Sequence, residues 1–465
     1  MRSIAQGGIV AAEHTVFSRE RTRLAGKHGG WALLLLVGIA TAAFIDRSIL
    51  NTVGQALKDE LHISDLQLGA LGGAAFALLY SVLCVPVARL SERVNRVWIV
   101  CLSVIVWSAM TLLCGLATSF LLLALARVGV GIGEAGVQAP SQSLLGDIFP
   151  PERRASALAI FGLATPLGIA IGGAGGGFVA QHYGWRAAFM LAAVPGLFFA
   201  GLMFWTVREP GRGASEDAPV ENRVPPAKEV MQRLWASWTF RHILAGAMIT
   251  GFIGFGLVTF THAFFVRAFS MDYTHAGFAF VLMNSVSNVG GFLIGGLLTD
   301  KLISRDIRFY GWVPAAGALL ACPLYVLGFR QTHWETALAV LMVPGLFSST
   351  WYAPSYAVTQ NLVTSRMRAT AVALLSLAIN LAGMALGPTI TGALSDHIAA
   401  RSFTAGSYVS RCSGAAQVQD LLCRAATAHG LRLALEILSC CFLLSGMHFL
   451  LAARHMKREL RVGPS

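Results

Sequence analysis

Charge is what this sequence has least of. Only 12% of its 465 residues are Asp, Glu, Lys or Arg, against roughly 25% in soluble domains. A chain of this length with so few charges cannot turn most of its surface to water. Acids are scarcer than bases, 23 against 35, for a net charge of +12. No Walker loop is present, so ATP is not the driver. No HExxH or GxSxG motif is present, which argues against an intramembrane protease or a hydrolase of that type. The eight cysteines show no metal-type spacing. The expectation is therefore no cofactor, no metal and no enzymatic activity.

What the chain has instead is apolar length, with 55% hydrophobic residues. Apolar runs fall at about 31–52, 67–88, 97–116, 119–143, 154–180 and 185–206, and again at about 241–269, 275–298, 310–328, 336–360, 367–396 and 430–453. A bilayer core of about 30 Å needs roughly 20 apolar residues per helix. The runs are continuous rather than alternating, which excludes a barrel. The reading is an all-α membrane protein of twelve transmembrane helices in two six-helix bundles, 31–206 and 241–453. Residues 1–30 read as a polar, basic cytoplasmic tail rather than a cleaved signal, and 454–465 as a second tail. The stretch 207–240 is rich in Pro, Glu and Arg and reads as a cytoplasmic linker.

Lys and Arg accumulate on the cytoplasmic side of membrane proteins. With the N-terminus inside, 25 of the 35 fall inside and 8 outside, with Arg47 and Arg127 within spans. Both termini are expected to be cytoplasmic, in a bacterial inner membrane. The positive balance is thus topology, and nucleic acid is not an expected partner.

Two loops repeat a pattern. One reads Ala88-Arg-Leu-Ser-Glu92-Arg93-Val-Asn-Arg96, the other Gly296-Leu-Leu-Thr-Asp300-Lys301-Leu-Ile-Ser-Arg305. Each has a small residue, then an acid followed by bases, at the same place in its half. The small residue permits close helix approach, and the charges form a cytoplasmic latch. Asp147, in Asp147-Ile-Phe-Pro-Pro-Glu152-Arg153-Arg154, is a candidate partner for Arg93 or Arg96. This repeated loop resembles the signature of the major facilitator superfamily. Phe44-Ile-Asp46-Arg47, Arg127-Val-Gly-Val-Gly-Ile-Gly-Glu134, Val207-Arg-Glu-Pro, Arg366-Met-Arg-Ala and Gly387-Pro388 resemble its Spinster-like branch. Ala88 and Glu92 depart from that family's usual Gly and Asp.

Asp46 and Arg47 lie in span one, Arg127 and Glu134 in span four. Each costs roughly 2.5–3.5 kcal/mol at a helix centre, so such residues pair or face water. Arg127 and Glu134 are two turns apart, so they share a face. Gly129, Gly131 and Gly133 keep that helix thin. Asp46 and Arg127 count to similar depths. The reading is that Arg127 exchanges between Asp46 and Glu134, and that the carboxylate left without a cation takes up a proton. The Spinster resemblance implies the same roles for these three positions. Arg47 is a further candidate, as partner or as snorkelling cation.

The second half has no acid deep in a span. His262, Asn284, Asn288 and Asn380 are its polar cavity candidates, against the ordinary alternative of helix–helix hydrogen bonds. Trp351 and Tyr352 are candidates for an aromatic wall. Thr165-Pro166 and Gly387-Pro388 are expected helix breaks. Six cysteines lie in spans as small apolar residues. Cys412 and Cys423 fall in an outside loop, where a disulfide is possible. The expected function is proton-coupled transport by a monomer. The resemblance implies an amphiphilic or lipid-like substrate, such as a lysolipid or phosphorylated sphingoid base. The alternative is an organic-anion symporter of the hexuronate type. A sensor or membrane enzyme is the alternative of another class.

Overall fold

The computed structural model describes residues 2–91, 93–149, 157, 160–210, 226–363, 367–412 and 420–460, with backbone alone for 2–28, Val85, Asn288, Arg368, Ala369, Val409 and Ser410. Eleven described helices are long and apolar enough to cross a membrane. They are α1 (Gly29–Leu61), α2 (Asp65–Ser91), α3 (Arg96–Gly115), α4 (Phe120–Ile148), the long helix Ile160–Thr206, α7 (Trp238–Phe269), α8 (Tyr273–Ile303), α9 (Phe309–Phe329), α10 (Trp334–Asn361), α11 (Thr370–Ser402) and α12 (Leu421–Glu459).

The long helix is two crossings. Its 47 residues would reach about 70 Å at 1.5 Å per residue, twice what a bilayer core needs. Gly184 interrupts it at φ 82°, ψ 160°, backbone that a side chain strongly disfavours. Before that point the helix ascends beside α1, with Gly168 against Phe44 and Gly176 against Ile49. After it the chain returns, with Phe199 beside Gly38 and Thr206 bonded to Trp31. We name these crossings α5 (160–183) and α6 (185–206). Twelve crossings result among the described residues, six on each side of the linker.

Hydrogen bonds sort the helix ends into two faces. On one, Arg96 meets Asp147 and Glu209, Ser237 meets Glu459, and Lys457 meets Asp306. This is the linker face. On the other, Lys58 meets Asp65, Trp185 meets Glu60, and Arg330 meets Glu436. Cys412 and Cys423 are joined there by a disulfide, with Cα atoms 5.5 Å apart; we call it the disulfide face.

Several ends lie beyond the apolar runs. The first run stops near 52, yet α1 continues to Leu61, because Lys58 is buried (2% exposed) by pairing with Asp65. Hydropathy sees a cation there and cannot see its partner. The expected breaks at Pro166 and Pro388 also differ in position. Pro166 sits in the first turn of a helical segment, Ala164–Ala170, and Pro388 near the start of another, Gly387–Ser402. A first turn needs no amide donor from Pro. The irregularity falls beside them, in wide π-type turns at Ile171–Gly175 and Leu381–Leu386, with a third at Leu282–Val286. Such turns are frequent at functional segments of helices.

Candidate transport site

The four charges of the first half form two ion pairs at the middle of the fold. Arg127 Nη1 donates to Asp46 Oδ2 at 2.8 Å, and both residues are almost wholly buried. The Thr111 hydroxyl donates to the other Asp46 oxygen at 2.7 Å. Arg47 donates to Glu134 Oε2 through Nε at 2.6 Å and Nη2 at 2.5 Å. Arg47 was the weakest of the four candidates in the sequence, and the structure makes it the partner of Glu134. Arg127 Nε and Glu134 Oε1 are buried with no hydrogen-bond partner. An unmade bond to a buried charged group is costly.

The local sequence explains why the charges meet. Neighbouring helix residues point about 100° apart, so Asp46 turns to α3 and α4 while Arg47 turns to α2 and the space between the halves. The glycines of α4 bring that helix in: a Cβ on Gly131 would lie 2.5 Å from the Phe76 carbonyl oxygen, and one on Gly133 2.5 Å from the Trp107 nitrogen. Arg47 stacks within 4.8–5.2 Å of the ring centres of Phe44, Phe76 and Tyr80, favourable cation–π geometry. Sequence reasoning missed this box. Its signal, Phe76 and Tyr80 one turn apart, is also what ordinary core packing produces.

A cavity of about 940 Å³ lies between the halves. The first half contributes Phe44, Arg47, Tyr80, Gln138 and Gln142, and Arg47 is the charged residue in the lining. Asn284, Asn380, Trp351 and Tyr352 line it from the second half, with Tyr356 and Ser376. Phe292, Tyr352 and Tyr356 form a ladder with ring centres 4.8 and 4.6 Å apart, and Trp351 meets Tyr352 edge-on. The lining runs from mid-helix toward the linker-face ends of α4, α10 and α11. His262 is placed elsewhere. It is fully buried near the disulfide face, with Nε2 3.2 Å from the Tyr273 carbonyl, and does not line the cavity. The Asn288 side chain lies outside the described residues.

The latch residues divide. Arg96, 3% exposed, bonds Asp147 at 2.5 Å, Ser143 at 2.8 Å and Glu209 at 2.6 Å, so it ties α3, α4 and the end of α6. Glu209 was not among the expected latch residues; it belongs to the Val207-Arg-Glu-Pro stretch. Arg93 is exposed, Ala88 half-buried, and Glu92 lies outside the described residues, as do Glu152, Arg153 and Arg154. In the second half, Asp300, Lys301 and Arg305 are exposed and are not brought together. Asp306 takes the ionic role, bonded by Arg308 and Lys457, both at 2.9 Å. Chiefly the Arg308 guanidinium, then Lys457, holds its carboxyl well below the usual range. Gly296 is not a tight contact, since an added Cβ would meet Ala353 at 3.7 Å; Gly291 and Gly295 are the ones pressed against α10 carbonyls.

A substrate-sized cavity between two six-helix halves, beside buried ion pairs, is the architecture of a membrane transporter. The sequence profile of the Major Facilitator Superfamily matches residues 36–328, and the chain belongs to that superfamily; it is a transporter and not an enzyme. It is 31% identical to an MFS-type efflux pump of Mycolicibacterium smegmatis, over 80% of this chain and 87% of that one. It is 25% identical to the hexuronate transporter of Bacillus subtilis, over 78% and 86%. The crystal structure of a bacterial homolog to the human lysosomal transporter Spinster, inward-facing and unoccupied, superposes with a TM-score of 0.86 at 30% identity, over 94% of this chain and 99% of that one. Within the superfamily the chain is Spinster-like.

Proposed function

We propose that this protein is a proton-coupled secondary transporter of an amphiphilic, lipid-like organic anion, working by alternating access between its halves. The observation that carries the proton step is the pair of unsatisfied buried atoms, Arg127 Nε and Glu134 Oε1, on one face of α4. When Arg127 turns to Glu134, Asp46 is left without its cation in a dry site and takes a proton. Arg47, released from Glu134, is then available to the cavity. Its guanidinium suits an anionic head group, and the Phe292–Tyr352–Tyr356 ladder suits an apolar chain. The amide and hydroxyl groups of Asn284, Asn380 and Ser376 take the polar remainder.

The orientation we propose puts the linker face in the cytoplasm. Two independent features support it: the excess of Lys and Arg on that side, and the disulfide on the other, which suits an oxidising compartment. The relative's inward-facing state agrees with a cavity whose lining runs to the linker face.

The hexuronate-type reading shares the anion but not the apolar chain, so the aromatic ladder favours the amphiphile. Uptake into proteoliposomes separates them. Lysolipid and hexuronate are compared with and without a pH gradient, in the wild type, Asp46→Asn and Glu134→Gln. The wild type should move lysolipid in a gradient-dependent way, and each variant should lose that dependence by about tenfold or more, as expected when a buried charge pair is broken. Proton dependence unchanged in both variants sinks the coupling. Transport of hexuronate alone sinks the amphiphile.

A further inference from the structure

The disulfide face carries a second buried charge network that the transport site does not use. Asp65, the first residue of α2, is 1% exposed. It receives Lys58 Nζ at 2.6 Å, both Nη atoms of Arg267 at 2.7 Å and the Ser395 hydroxyl at 2.7 Å. Lys58 belongs to α1, in the same half; Arg267 and Ser395 come from α7 and α11 in the other. Asp396 accepts the backbone N–H groups of Asp65 at 3.0 Å and Leu66 at 2.7 Å. Those are orphan donors of the first turn of α2, so one half caps a helix of the other. Arg267 Nε also donates to Gln55 at 2.5 Å. Gln55 donates to Asp59 at 2.6 Å, and Tyr273 reaches Asp59 from α8 at 3.3 Å.

The backbones close the same seam. A Cβ on Gly69 would collide with the Pro388 carbonyl, and one on Gly392 with the Asp65 carbonyl. A polar cavity of about 260 Å³, lined in part by Lys58, Asp59, Arg267 and Arg424, lies against the network.

We propose that Asp65, Arg267 and Asp396 form the gate of the disulfide face, and that it opens by a division of partners. Lys58 stays with Asp65 in the first half; Arg267 falls back on Asp396 in the second. Each half then leaves with one cation and one carboxylate from this set, so neither separates with an uncompensated buried charge, the costly case. The α2 amides exchange the Asp396 carboxylate for water. Lys58 is thus the residue that lets the gate part, and Arg267 the residue that holds it shut.

The inference rests on the alternating-access part of the proposed function, but its test involves neither substrate nor proton. Spin labels are placed at Tyr183→Cys and Arg401→Cys, exposed positions in opposite halves on this face. The background lacks the six free cysteines. Pulsed dipolar distances are compared for wild type, Arg267→Met, Asp396→Ala and Lys58→Met. Loss of an inter-half charged contact should raise the long-distance population about tenfold in Arg267→Met, whereas Asp396→Ala also removes the carboxylate that receives Arg267 on opening and should not raise it. Lys58→Met leaves the inter-half contacts intact and should not raise it. Lys58 is as deeply buried as Arg267, so general loosening would raise that population in all three variants. That result, or unchanged distances in Arg267→Met, overturns the gate. Failure of lysolipid transport with these distance shifts present would overturn the substrate reading alone.

Discussion

Glu134 shares a helix face with Arg127, yet its bonded partner is Arg47, from another helix. Arg127 is committed to Asp46 at 2.8 Å, with Thr111 holding the other oxygen. The two pairs are not equivalent. Asp46 and Arg127 are sealed, whereas the Arg47 side chain is 25% exposed and faces the cavity. Removing a charge from each should therefore show different symptoms. Arg127→Met strands a buried carboxylate and should cost about 3–5 kcal/mol, visible as a large drop in the thermal midpoint of the detergent-solubilised protein. Arg47→Lys keeps the charge but not the planar fork that spans three rings and a carboxylate. It should leave the thermal midpoint nearly unchanged and raise the KM for an anionic substrate about tenfold, read in initial uptake rates.

At the scale of helices, small residues matter only where a neighbour's backbone demands them. A methyl group on Gly131 or Gly133 runs into the backbone of α2 or α3, at 2.5 Å in each case. Backbone cannot swing aside as a side chain can, and overpacking of this kind costs about 1–3 kcal/mol. Gly131→Ala should lower the thermal midpoint and impair transport, because α4 carries Arg127 and Glu134. Gly296→Ala, with its nearest neighbour at 3.7 Å, should be neutral in both assays. The repeated loop motif drew attention to position 296, but the close contacts fall at Gly291 and Gly295. Sequence spacing marks the helix and the turn; which glycine meets a carbonyl depends on how α8 is rotated against α10. The same holds for the latch. Arg96 was a candidate from its loop, but Glu209 lies 113 residues away and joins it only because α6 ends beside the start of α3.

At the scale of the whole molecule, the two halves touch by design on one face and separate around a cavity on the other. The disulfide face is held by Asp65, Arg267 and Asp396, together with the glycine contacts at Gly69 and Gly392. The proposed orientation of this face toward an oxidising compartment can be checked on the intact protein. In right-side-out vesicles, a membrane-impermeant maleimide should label Cys412 and Cys423 only after treatment with reductant. Labelling without reductant, or labelling that requires inverted vesicles, would contradict the orientation.

The sequence by itself determined the class. Twelve apolar runs, a linker and a one-sided distribution of Lys and Arg follow from the composition of local segments, because a bilayer acts on each helix separately before any two have met. It also singled out Asp46, Arg47, Arg127 and Glu134, which stand out against apolar surroundings that would otherwise exclude them. Only the tertiary structure decided who pairs with whom. Arg47 with Glu134, Arg96 with Glu209, and Asp65 with Arg267 across the halves are contacts between helices distant in sequence. They are set by helix rotation and close packing, which a one-dimensional pattern does not encode. His262 shows the converse. It was conspicuous in the sequence as a lone polar residue in an apolar span, and in the fold it is a buried side chain bonded to the Tyr273 carbonyl, away from the cavity.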